Sequence, residues 1–71
     1  MSDFSVVPNR GGYSIVRRAD GMAWRHLVLH QGSQRTSWVP LEDATAFGDE
    51  AGAVREIAWG IIPRMNRGLI G

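Results

Sequence analysis

The chain has 71 residues and no cysteine, so neither disulfides nor thiolate-bound metal can staple it. That length supports one domain, near the lower limit at which an apolar core holds a fold unaided. Net charge is only +1 and lysine is absent, which falls short of the strongly basic footprint of a dedicated nucleic-acid binder.

The charge is unevenly spread. Residues 1–40 carry Arg10, Arg17, Arg18, Arg25 and Arg35 against Asp3 and Asp20, whereas residues 41–71 carry Arg55, Arg64 and Arg67 against Glu42, Asp43, Asp49, Glu50 and Glu56. The front of the chain is therefore mildly basic and the back mildly acidic. Met1-Ser2-Asp3 has no basic leader, and no apolar run approaches the roughly 18 residues of a membrane span. A soluble cytoplasmic protein is expected.

Phe4, Val6 and Val7 read as a short edge strand closed by Pro8-Asn9-Arg10-Gly11-Gly12, a dense turn signal. Residues 13–19 alternate as a strand up to Asp20-Gly21, among the strongest two-residue hairpin signals. Residues 22–31 form the longest strand pattern and are placed centrally. Gly32-Ser33-Gln34 makes the next turn, and residues 35–39 are rich in β-formers. A two-residue loop at Asp20-Gly21 puts Ala19 opposite Met22, Arg17 opposite Trp24, Ile15 opposite His26 and Tyr13 opposite Val28. One face then carries Tyr13, Ile15, Met22, Trp24 and Val28; the other carries Val16, Leu27 and Leu29 among Ser14, Arg18 and Arg25. One helix covers one face of so small a sheet, so the second apolar patch calls for cover from a terminal segment or another molecule.

Pro40, Glu42 and Asp43 suit a helix start. Ala44, Phe47, Ala51, Val54, Ala58, Ile61 and Met65 recur at helical spacing and define the expected inward face, widened by Leu41, Ile57 and Ile62. Gly48 before Asp49, a good N-cap, predicts a break: a short turn at 41–47, then the main helix at about 50–62. Pro63 ends or kinks it, and residues 63–71 form a tail with Asn66-Arg67-Gly68 as a stop signal. The fold expected is α+β. A three- to four-stranded antiparallel sheet over residues 4–39 precedes one main C-terminal helix in the region 41–62, all within a single domain 1–71.

His26 and His30 are four apart, but in a strand they stand roughly 13 Å from each other. One metal ion cannot take both, and no third His or Cys completes a site. There is no nucleophile elbow, and Gly11-Gly12 precedes a strand where a phosphate loop would open a helix. No enzyme, metal or cofactor is expected. Arg17, Arg18, Arg25 and Arg35 fall on the strands, interleaved with Trp24 and Trp38, and are the candidates for touching nucleic acid. A three-stranded sheet followed by a packing helix, with arginine and tryptophan on the strands, resembles plant AP2-type domains and integrase arm-binding domains. That resemblance implies a sheet laid in the major groove of DNA.

Trp59, one turn after Arg55, is a candidate interface anchor. Glu42, Asp43, Asp49 and Glu50 are the acidic cluster able to stand where a basic target expects phosphates. Small size, arginine-only composition and sheet-plus-helix order also resemble phage and mobile-element inhibitors of the anti-CRISPR type. The resemblance implies a non-enzymatic protein that blocks a host nucleic-acid-processing complex by occlusion, with a host protein or ribonucleoprotein as partner. A third expectation is a homodimeric accessory or structural subunit.

Overall fold

The computed structural model describes residues 3–70; Met1, Ser2 and Gly71, and with them the reading of the first two residues as leader-free, lie outside the described residues. Four antiparallel strands follow one another as a meander: β1 (Phe4–Asn9), β2 (Gly12–Arg17), β3 (Ala23–Val28) and β4 (Gln34–Val39). A 3-10 turn, Leu41–Asp43, and a C-terminal helical stretch starting at Glu50 complete the α+β fold. The dense turn signal closes the first hairpin, where Asn9 pairs with Gly12. Arg10 (φ 51°) and Gly11 (φ 79°) are both left-handed, as a type I′ loop requires. Arg10 is held there by its guanidinium, which donates to the carbonyls of Glu42 and Ala44. Pro8 sits on the edge strand, where its missing N–H leaves no ladder bond unmade.

The second hairpin departs from the expected register by two residues. Val16 pairs with Ala23, and the Arg17 N–H donates to Met22 O at 2.7 Å, so the loop spans residues 18–21. Asp20 is the reason. Its carboxylate pairs with the Arg17 guanidinium at 2.5 Å and accepts from the Met22 N–H at 3.1 Å, making it a brace inside a longer loop. The Arg17 hydrogen bond, helped by the Met22 N–H, holds the Asp20 carboxyl below the usual carboxylate range. A slip of two leaves every side chain on its expected face, because the side-chain period of a strand is also two.

Past Val16 and Ala23 the two strands part, and residues 44–47 fill the fork. Tyr13 and Phe47 exchange backbone bonds of 2.8 and 2.7 Å; the Thr45 N–H donates to Trp24 O; Thr45 Oγ1 accepts from the His26 N–H. Ser14, buried completely, donates its hydroxyl to Thr45 O at 2.9 Å and accepts from Asn9 Nδ2 at 3.1 Å. The wedge thus satisfies backbone groups that the parted strands no longer satisfy in each other.

Phe4, Ile15 and Trp24 from the sheet meet Ala53 and Ile61 from the helical stretch in the core. Val6, Tyr13, Trp38, Phe47, Ile57 and Ile70 pack around them. The Trp38 ring stacks on Phe4 at 5.9 Å, tilts against Trp24 at 5.0 Å and lies under the Arg17 guanidinium at 4.3 Å. On the opposite sheet face Ala23 is buried and Val7 and Val16 are half-buried, while Leu27 and Leu29 are exposed, as expected for an apolar patch there.

Gly48 does interrupt the helix, and Asp49 caps it by accepting from the Gly52 N–H at 2.6 Å. The stretch comprises α1 (Glu50–Glu56), a π-helical turn (Ile57–Ile61) and α2 (Ile62–Asn66), so of the two expectations for Pro63 it does not end the helix, which runs on into the expected tail as far as Asn66. A proline ring clashes with the carbonyl four residues earlier and removes one bond of the ladder. Widening the preceding turn, with Ile62 N–H bonded to Ile57 O, makes room. The side chain of Arg64 then donates to Gly60 O at 2.8 Å. Among the described residues no helix is long and apolar enough to cross a membrane.

Candidate functional site

What presents one side of the helix to solvent is a polar bridge on its other side. Glu56 Oε2 accepts from Trp24 Nε1 at 2.7 Å and meets His26 Nδ1 at 2.5 Å, with the Glu56 and His26 side chains only 15% and 16% exposed. On the far edge of the imidazole, Nε2 is 2.9 Å from Gln34 Oε1, which also accepts from Arg64 Nη2 at 2.8 Å. Arg64 has only donors, so that Gln34 atom is the amide oxygen. Both ring nitrogens therefore face acceptor oxygens. Gly60 leaves the space this needs: a Cβ there would come within 2.6 Å of the Glu56 carboxyl. A half-buried carboxylate stripped of these donors would be costly, so the bridge fixes the rotation of the helix against β3 and β4.

That rotation corrects part of the expected inward face. Ala44 and Ile61 are buried and Phe47 and Ile57 pack against the core as expected, joined by Ala53 and Gly60, whereas Ala51, Val54, Ala58 and Met65 point to solvent. Ile62 and Leu69 are exposed as well. Trp59 is 79% exposed, next to exposed Ala58 and one turn after exposed Arg55. Exposed apolar side chains thus lie on the helix as well as at the end of β3, where Leu27, Val28 and Leu29 are exposed. A glycine at position 60, four after a glutamate, is the signal that could have set the phase: only the residue without a Cβ lets Glu56 lie back across the helix.

The nucleic-acid candidates are divided by the fold. Trp24 is fully buried, Trp38 is half-buried in the aromatic stack, and Arg17 is held between Asp20 and the Trp38 ring, so these three are structural. Arg25 and Arg35 share the face of the sheet away from the helix, and no acidic residue lies in any of the four strands; Arg18 lies in the loop after β2, where its backbone N–H donates to Asp3 O and its side chain to Ser5 Oγ. The acidic candidates Glu42, Asp43, Asp49 and Glu50 are all exposed. Two features dilute them. The Arg10 guanidinium sits on the carbonyls of Glu42 and Ala44, and the Asp49 carboxylate is committed to the helix cap.

His30 lies in a 3-10 turn (His30–Gly32) after β3 and not in the strand expected for it, while His26 is tied into the bridge. Among the described residues no three His, Cys, Asp or Glu side chains group as metal ligands. No protein-family model, curated protein or solved structure matches this chain.

Proposed function

We propose that the chain is a non-enzymatic binding protein that grips a protein partner with Trp59 and Arg55 and acts by occlusion. The exposure of Trp59 carries this reading. Left in water, an indole ring forgoes a large apolar burial, and rigid aromatic and arginine side chains dominate binding hot spots. Among the described residues Trp24, Ile15 and Ile61 fill the core, and Trp59 stands outside it at 79% exposure. A host nucleic-acid-processing complex is the target implied by the likeness to phage inhibitors.

A second reading, direct DNA binding, is favoured by the placement of Arg25 and Arg35 on one face of a sheet whose strands carry no acidic residue. One experiment separates the two. Tagged wild-type protein, Trp59→Ala and Arg25→Ala are each used for capture from host lysate and for mobility shift of duplex DNA. The protein-docking reading predicts a stoichiometric partner lost with Trp59→Ala, about tenfold or more in affinity, and kept with Arg25→Ala. Both changes are at positions outside the core, so folding should be retained. Capture that survives Trp59→Ala, or a salt-sensitive DNA shift lost only with Arg25→Ala, overturns it.

A further inference from the structure

We propose that the Trp59 site takes an acidic segment of its protein partner, whose carboxylates meet Arg55 and Arg67 on either side of an apolar residue packed on the indole. The inference rests on the docking reading of Trp59 and names the chemistry that the partner brings. Arg55, Trp59, Pro63 and Arg67 follow one another at steps of four, a row along one side of the helix. In a regular α-helix Arg55 stands about 40° to one side of Trp59 and Arg67 about 80° to the other. The π-helical turn at Ile57–Ile61 holds more residues per turn, which narrows both angles. Along the axis Arg55 is about 6 Å before Trp59, and Arg67 about 12 Å after it. Both arginines are exposed, and neither ion pair among the described residues involves them.

The charge around the ring has one sign. From Ala51 to Ile70 the sequence holds one carboxylate, Glu56, and its side chain is 15% exposed and engaged by Trp24 and His26. Arg64, the third arginine of the stretch, is engaged by Gly60 O and Gln34. The row therefore offers an indole and two guanidinium forks, each suited to a bidentate carboxylate. A nucleic-acid strand matches it less well. Such a strand carries one charge for about every 3.4 Å of its length, whereas the two arginines are about 18 Å apart with the indole and Pro63 between them. Phosphates lying over that apolar gap would be desolvated with no cation to meet. An acidic segment with an apolar residue at its middle places charge only where the arginines stand.

The probe is a display library of random peptides of about 15 residues, long enough to cross the row even when helical, selected on the full chain. Peptides recovered on wild type and weakened about tenfold or more by Trp59→Ala should be rich in Asp and Glu. Their affinity should fall about threefold with Arg55→Gln, about threefold with Arg67→Gln, and about tenfold with both, since the two sites are far apart. Binding lost in Arg55→Glu should return when the acidic residues of the peptide are changed to Lys, a rescue that a structural role for Arg55 would not produce. Trp59-dependent peptides without acidic enrichment, or unmoved by the two glutamine changes, overturn the proposal and leave the docking reading standing. Single-stranded oligothymidine held by wild type and released by Trp59→Ala makes the row a nucleic-acid site and overturns it as well. Recovery of no Trp59-dependent peptide also overturns it, while docking itself stands or falls by the capture experiment with Trp59→Ala.

Discussion

Replacing Gly12 by alanine is expected to destabilise the domain by about 2–4 kcal/mol, although glycine-to-alanine changes that fit are worth about 0.4–1 kcal/mol of stabilisation. Gly12 has no positive φ, so alanine is acceptable to the local backbone. The obstacle is the wedge: a Cβ at this position collides with the carbonyl oxygen of Phe47. That oxygen accepts from the Tyr13 N–H, and relieving the collision breaks the reciprocal pair that ties residues 44–47 into the fork. Each stranded backbone group costs about 1–3 kcal/mol, against a total stability on the order of 4–10 kcal/mol for a chain of this length. Urea denaturation read at constant m measures the loss. Gly48→Ala is the control, because a Cβ there meets nothing within 4 Å. Equal stability of Gly12→Ala and wild type would mean that the wedge does not occupy the fork.

The second large effect is at the bridge. Glu56→Ala leaves the fully buried Trp24 without an acceptor for its Nε1–H and His26 Nδ1 without its partner, at a cost of about 2–4 kcal/mol. Glu56→Gln keeps one acceptor oxygen and should cost less. Gly60→Ala should approach the cost of Glu56→Ala, because the new methyl displaces the carboxyl from Trp24 and His26. Once Glu56 is already alanine, that reason disappears. Gly60→Ala should then become neutral, or favourable by up to about 1 kcal/mol from helix propensity. A Gly60→Ala penalty that is the same in both backgrounds would show that the carboxyl does not lie over Gly60.

The order of elements was legible from short-range chemistry. Arg10-Gly11 and Gly21 supply positive φ where turns need it, and Gly48 with Asp49 marks the helix start. The faces of the strands were legible as well, because a register slip of two preserves them. What escaped depends on contacts distant in sequence. Nothing near Thr45 or Phe47 announces that they leave the helical pattern to pair with β2 and β3, since their partners are 19 to 34 positions away. The helix phase was only partly legible, for a related reason. Spacings of three and four are met by the inward set Ala53, Ile57, Gly60 and Ile61 and by the outward set Val54, Ala58, Ile62 and Met65. Periodicity alone cannot choose between two apolar stripes; the Glu56 bridge does. Two of the three tryptophans looked like surface groups on their strands, yet only Trp59, on the helix, lies in solvent.

The decisive measurement is acrylamide quenching of tryptophan fluorescence in wild type and in Trp59→Phe, their difference isolating Trp59 from the sheltered Trp24 and Trp38. The orientation described above predicts that the Trp59 component is quenched as readily as a free indole, while the emission left in Trp59→Phe resists quenching. A sheltered Trp59 in the unliganded protein would place this ring inside the fold and remove the surface on which docking depends.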